Sequence, residues 1–150
     1  MQIASPFIEA LQGRLVAHVW RGYGSAIFLE FGALTERKRR DEKAGHPHGE
    51  VTLMIEWSWR IERPRSILGG SWSSERRWPS MFKRLIGREV AQVEFPGALP
   101  EISLSLSNGL RVTSFMTAEG QPSWAVISRR PNLGSLSVKR GKLNVEPPSP

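Results

Sequence analysis

Leu85-Ile86-Gly87-Arg88-Glu89-Val90-Ala91-Gln92-Val93 repeats, without a gap, Leu11-Gln12-Gly13-Arg14-Leu15-Val16-Ala17-His18-Val19. Leu, Gly, Arg, Val, Ala and Val match in register, six of nine positions at a spacing of 74. Self-similarity at a fixed spacing points to a duplicated unit, and two copies are too few for a solenoid. Each Gly is preceded by a segment of the same design. Ser5-Pro6-Phe7-Ile8-Glu9-Ala10-Leu11-Gln12-Gly13 offers Ser as an N-cap, Pro in the first turn and Gly just past the end. Trp78-Pro79-Ser80-Met81-Phe82-Lys83-Arg84-Leu85-Ile86-Gly87 has the same Pro-to-Gly layout, one residue longer. The unit therefore opens with a short helix, stops at Gly and continues as a strand.

Outward from the motif, the alternation is that of strands. In Glu101-Ile102-Ser103-Leu104-Ser105-Leu106-Ser107-Asn108-Gly109, the Ile and Leu residues face one way and the Ser residues the other, which predicts an antiparallel strand with one solvated side. Asn108-Gly109 suits the positive φ values of a tight hairpin turn, with residues 110–117 as the return strand. The first copy has Ala26-Ile27-Phe28-Leu29-Glu30-Phe31-Gly32 and then, in place of that turn, an insertion that runs to Glu50 and carries Arg37, Lys38, Arg39 and Arg40. Residues 51–62 resume as strand. Val51-Thr52 answers Val112-Thr113, and Ser58-Trp59 answers Ser123-Trp124.

Gly22-Tyr23-Gly24-Ser25 reads as a hairpin turn, and residues 63–78, with Pro64, Gly69-Gly70 and several Ser, read as a loop connector. Near the end, Leu136 and Val138, then Leu143 and Val145, alternate with polar residues and predict a last strand or hairpin. The fold class expected is α+β, mainly antiparallel β, in a single domain over 1–150. Pseudo-repeat one spans 5–62, the connector 63–78, pseudo-repeat two 79–128 and a basic tail 129–150. Each repeat contributes a short helix plus three or four strands, and the two together form a barrel or sandwich.

A chain of 150 residues can bury a substantial core without staples. It has no Cys, which excludes disulfides and thiolate metal sites and suits a reducing compartment. Residues 1–6 lack the basic and apolar regions of a signal peptide, and no run of about 18 apolar residues occurs, so a cytoplasmic protein with no membrane span is expected. The net charge of +7 is unevenly spread: residues 58–90 carry eight Lys/Arg against three Glu, and residues 129–150 five against one. A field of this sign favours anionic partners.

Residues able to do chemistry are scarce. His46-Pro47-His48, with Asp41, Glu42 and Glu50 nearby, is the one metal-like cluster, but zinc usually takes three or four protein ligands. A solvated loop tip is the expectation, with no metal and no cofactor. Gly69-Gly70-Ser71-Trp72-Ser73 lacks the second Gly of a nucleophile elbow. His18 meets Gln92 in the second copy and has no visible partner to orient it. No catalytic residue is therefore assigned; an enzyme would need a pocket gathering Glu56, His18 or Glu30. Among the six Trp, Trp59 and Trp124 hold matched positions and are expected in the core, with Trp57 sharing the face of Trp59. Trp72 and Trp78 flank Arg76 and Arg77. The binding set expected is Arg37, Lys38, Arg39, Arg40, Trp72, Arg76, Arg77 and Trp78, since aromatics among Arg can anchor a protein interface or stack on bases.

The Gly-Arg-x-Val strand start, the hairpin and the closing Trp strand, each present twice within residues 5–128, resemble small uncharacterised bacterial proteins classed as domains of unknown function. Some of these resemble immunity or accessory proteins of toxin systems. The resemblance implies a non-enzymatic binding or immunity-type accessory protein with a protein partner, and it brings no catalytic residue. A nucleic-acid-binding module using the basic loop and connector is the alternative, and an enzyme with a scattered site ranks below it. Dimerisation through an unpaired sheet edge is left open.

Overall fold

The computed structural model describes residues 2–38, 45–118 and 123–149. The elements in chain order are α1 (Ser5–Leu11), β1 (Val16–Arg21), β2 (Ile27–Phe31), β3 (Val51–Ile55), β4 (Trp59–Arg63), β5 (Ser66–Gly70), α2 (Trp78–Leu85), β6 (Val90–Glu94), β7 (Ser103–Leu106), β8 (Arg111–Ser114), β9 (Trp124–Ser128), β10 (Gly134–Lys139) and β11 (Lys142–Glu146). Single 3-10 turns at Gln2–Ala4 and Glu75–Arg77 lead into the two helices. All strand pairs are antiparallel, in two sheets ordered β1-β2-β3-β9-β10-β11 and β5-β4-β8-β7-β6. Neither sheet closes on itself, so a barrel is not formed. No helix among the described residues is long and apolar enough to cross a membrane.

The strand order is an exchange between halves. β1, β2 and β3 form a meander, after which β4 crosses to the other sheet and pairs with β8; β6, β7 and β8 form the second meander, after which β9 crosses back and pairs with β3. A three-stranded meander alone buries little, and the exchange lets both sheets fill one core. Trp59 opens β4 and Trp124 opens β9, and both are fully buried. Their indole N–H groups donate to Ser25 O and Pro100 O, each at 2.7 Å. The helices cross over as well: α2 packs on β1, and α1 on β6 and β9.

The matched motifs meet each other. Gly13 and Gly87 end their helices at φ +83 and +84, a conformation that costs glycine little and other residues more. Gly13 N donates to Val90 O (2.9 Å) and Gly87 N to Val16 O (2.7 Å). Val16 N then donates to Arg88 O (2.8 Å) and Val90 N to Arg14 O (2.9 Å), closing an antiparallel bridge at Leu15 and Glu89 that ties one sheet to the other. Both strands then bulge at the same point, between Val16 and His18 and between Val90 and Gln92.

Several local expectations change. The cap position of α1 is Ala4 rather than Ser5, because the 3-10 turn already brings the chain in with helical backbone. Only Gly109 takes positive φ in the β7–β8 turn; Asn108 instead accepts from Leu110 N and donates to Arg84 O (3.0 Å). Aligned strand for strand through the cross-strand partners, Thr52 corresponds to Arg111 and Met54 to Thr113, so the Val51-Thr52 and Val112-Thr113 match is two residues out of register. Val-Thr is common in any strand, whereas the Trp59 and Trp124 match is in register.

The connector is not all loop, since Gly69-Gly70 lies in β5. A Cβ on Gly69 would meet the Met81 sulfur and one on Gly70 the Trp59 carbonyl, so these glycines mark close approach within a sheet rather than a break in it. Trp57 precedes β4 and is exposed, and does not share the buried face of Trp59. The tail is not an appendage either. β10 pairs along β9, and Leu136 is fully buried.

Candidate functional site

Of the eight residues expected to bind, Arg39 and Arg40 lie outside the described residues. Arg37 and Lys38 are exposed on the insertion, and Arg76 and Arg77 are exposed on the Glu75–Arg77 turn. The two Trp residues part company: Trp72 is 88% exposed and Trp78 only 4%. Trp78 is the first residue of α2 and points inward, meeting Trp59 edge-on with centroids 5.1 Å apart. Its Nε1 donates to Ser73 O (3.1 Å), and the Arg21 guanidinium lies 4.5 Å above its ring. Trp78 is therefore a core residue, and its expected place in a binding set is corrected: the helix phase that buries Met81, Phe82 and Leu85 buries it too.

Trp72 and Arg77 line one cleft of about 640 Å³ beside the β4–β5 hairpin. Its other walls include Arg60, Arg63, Ile67 and Phe115, and among the described residues no acidic side chain lines it. Arg77 is held by a bond from Nη2 to Leu68 O (2.8 Å). Arg60 lies 5.2 Å over the Phe115 ring and pairs with Glu62 at 2.6 Å. The cleft thus sets an exposed indole and Ile67, 62% exposed, among guanidinium groups, two of which have been placed by contacts of their own.

A second cluster, on the outer face of the six-stranded sheet, was not foreseen as a unit. Cross-strand pairing sets His18 beside Glu30 and Glu30 beside Thr52, with Trp20 beside Phe28 in the next row. Glu30 is only 1% exposed, yet its carboxylate is well satisfied. Oε2 accepts from Trp20 Nε1 (2.8 Å), and Oε1 accepts from Gly49 N (3.0 Å) and from the Thr52 hydroxyl. Arg129 donates from Nη1 to Thr52 Oγ1 (2.8 Å) and Gly49 O (3.2 Å), placing a cation behind the network. Burial lowers the Arg129 pKa, and the Glu30 carboxylate opposes that shift.

The insertion folds back onto this cluster. Thr35 and His48 bond to each other through both backbone groups (2.8 and 3.0 Å), making its base a ribbon. His46 stacks on Trp20 at 4.6 Å, Phe28 stacks on Trp20 at 4.0 Å, and His46 Nδ1 shares a hydrogen bond with His18 Nε2 at 3.0 Å. His46 is exposed, as a solvated loop implies, but its ring is held on Trp20, and it gives His18 a partner. Arg14 completes the clasp, bonding Ala10 O (2.5 Å) and Arg130 O (2.6 Å) and pairing with Glu50 at 3.0 Å. The Ala33 amide, and after it Arg14, holds the Glu50 carboxyl below the ordinary carboxylate range against the opposing effect of burial.

These contacts fasten the insertion to the sheet. His18 and Glu30 do meet, but Glu56 sits elsewhere with its amide on Ser123 O, and none of the three principal clefts is lined by any of them. Among the described residues no three of His, Asp or Glu gather as metal ligands, while Asp41 and Glu42 fall outside those residues.

The cluster has a pH signature. Desolvation and then His46 lower the His18 pKa; desolvation, then Arg129 and Arg37, lower that of His48. As pH falls, the unfolded imidazoles protonate first, near pH ~6.5, so stability is complete above that value and declines as pH drops from it toward the lowered folded values. The urea midpoint is expected to fall between about pH 7.5 and about pH 5.5, and His18→Gln, the residue type standing at 92, should flatten that fall. An unchanged pH slope in the variant would refute the assignment.

No family model, curated protein or solved structure matches the chain.

Proposed function

We propose that this chain is a non-enzymatic binding or immunity-type accessory protein, built on a duplicated unit, that takes an acidic protein surface at the cleft beside the β4–β5 hairpin. The observation that carries the reading is Trp72, 88% exposed at the rim of a cleft walled by Arg60, Arg63 and Arg77 and, among the described residues, by no acid. Trp and Arg are among the residues enriched where protein interfaces draw most of their binding energy. A nucleic-acid surface fits less well. Base stacking along a strand calls for successive exposed aromatics, and Trp78 is buried. The duplication is supported by the repeated order of helix, meander and crossing strand and by the reciprocal bonds between the two Gly-Arg motifs. The absence of Cys suits the cytoplasm as its compartment.

The test is affinity capture from its native lysate with the natural chain, Trp72→Ala and Arg63→Glu, with and without nuclease. One protein should be retained after nuclease treatment and lost from Trp72→Ala, whose affinity should drop roughly thirtyfold, as for an interface hot spot. The same variant should change folding stability by no more than about 0.5 kcal/mol. Equal recovery with both variants would sink the assignment of the cleft. Signal that disappears with nuclease, and that weakens steeply with salt, would favour nucleic acid instead.

A further inference from the structure

Two contiguous clefts of about 620 and 640 Å³, which share no lining residue with the Trp72 cleft, meet at Leu99, Pro100 and Gly141. Their volumes are in the range of small-molecule sites. One wall is the 95–101 turn and the other is the tip of the β10–β11 hairpin, with Met116 and Ile3 at the ends. Both walls are features that the first half of the chain lacks. The bond from Trp124 to Pro100 O matches that from Trp59 to Ser25 O, so the 95–101 turn stands where the first half has the short Gly22-Tyr23-Gly24-Ser25 turn. Likewise β4 is followed by β5 alone, while β9 is followed by β10 and then β11.

The surface between these walls is apolar with a cationic end. Phe95, Leu99, Met116 and Leu143 line it, and Leu99 is mostly exposed. At the hairpin tip, Lys139, Arg140 and Lys142 crowd together, with Lys139 directly opposite Lys142 in the ladder. Like charges placed so are unfavourable without a counter-charge. Glu146 answers Lys139 at 2.5 Å, but Arg140 and Lys142 have no ion pair with any described residue. The acid in the lining, Glu101, is already engaged by Ser114 Oγ (2.7 Å) and Met116 N (2.6 Å). Arg140 is, moreover, the one non-glycine among the described residues at positive φ (+52). That turn position favours Asn or Gly, and a long cation held there against local preference, at the mouth of a cleft, is the kind of outlier that marks a site.

We infer that this groove binds an amphipathic carboxylate, its apolar chain lying along Phe95, Leu99, Met116 and Leu143 and its head group between Arg140 and Lys142. The shape takes a flexible chain, and the cationic tip discriminates by charge. Neither feature involves Trp72, so this site stands or falls apart from the protein-binding cleft.

Decanoate, decanol and decyltrimethylammonium, kept below their micelle concentrations, serve as probes in calorimetric titrations of the whole chain. Decanoate should bind and decyltrimethylammonium should not. Arg140→Asn combined with Lys142→Asn should weaken decanoate about tenfold or more while leaving decanol unchanged, as expected for loss of charge-assisted contacts. Asn is at home at the positive φ of Arg140, and Lys142→Asn removes a like charge from opposite Lys139, so the double variant should fold about as well as the natural chain, which its urea midpoint checks and which separates lost binding from lost structure. Leu99→Ser should weaken decanoate and decanol alike, and Trp72→Ala should affect neither. Failure of decanoate to bind more tightly than decanol, or undiminished decanoate binding by the double variant, would overturn the inference.

Discussion

Trp59→Ala should destabilise the chain by about 3–5 kcal/mol, a large part of the roughly 5–15 kcal/mol that holds an ordinary domain folded. The indole has no solvent exposure and sits where the two halves exchange strands, packed against Trp78 at 5.1 Å and Phe82 at 6.4 Å. Truncation leaves a cavity that two sheets and a helix would have to close together, and it strips Ser25 O of its donor. Trp59→Phe keeps much of the volume and loses the N–H, so it should cost less, roughly 1–2 kcal/mol. Urea unfolding followed by far-ultraviolet circular dichroism measures both. If Trp59→Ala unfolds at the midpoint of the natural chain, the shared core is wrongly drawn.

Glu30→Ala should have a loss of similar size, about 3–5 kcal/mol, by a different route. It removes the acceptor of three donors, Trp20 Nε1, Gly49 N and the Thr52 hydroxyl, and leaves Arg129 half-buried without the carboxylate that offsets its burial. Glu30→Gln preserves the shape, but its amide must turn an NH2 toward a donor, at a cost of about 1–3 kcal/mol. The effect should also be local. Hydrogen exchange at Gly49 and along the Thr35 and His48 ribbon should quicken well before that of β7 and β8, since the cluster fastens the insertion to the sheet. Equal costs for Ala and Gln, or unchanged exchange at Gly49, would mean that the carboxylate is not the fastener.

The candidate surfaces were legible in the sequence only in pieces. The Arg-rich connector drew notice through Trp72, Arg76, Arg77 and Trp78, yet the two Trp residues have like neighbours and opposite fates. What separates them is that Trp78 begins α2 and takes its buried phase, whereas Trp72 caps a strand end and has nothing above it. Arg60 lies in β4 and Phe115 just past β8, segments far apart in the chain that the β4–β8 pairing brings together. In the insertion, residues 33–38 and His46 are exposed, as its polarity implies. His46 stacks on Trp20 because the ribbon turns back over β1, and no local pattern announces that direction.

What the sequence alone determined is what a few neighbouring residues can encode. The Gly13 and Gly87 helix ends follow from φ preference, the β7–β8 hairpin from period-two alternation and a Gly at its turn, and the burial of Trp59 and Trp124 from matched strand starts. Only the tertiary structure decided that β4 and β9 change sheets, that the two Gly-Arg motifs bond to each other, and that Glu30 is buried under the insertion. These depend on which distant surfaces must cover one another. Each three-stranded meander has an apolar face it cannot bury alone, and the partner that covers it is chosen by the whole chain rather than by the residues beside it.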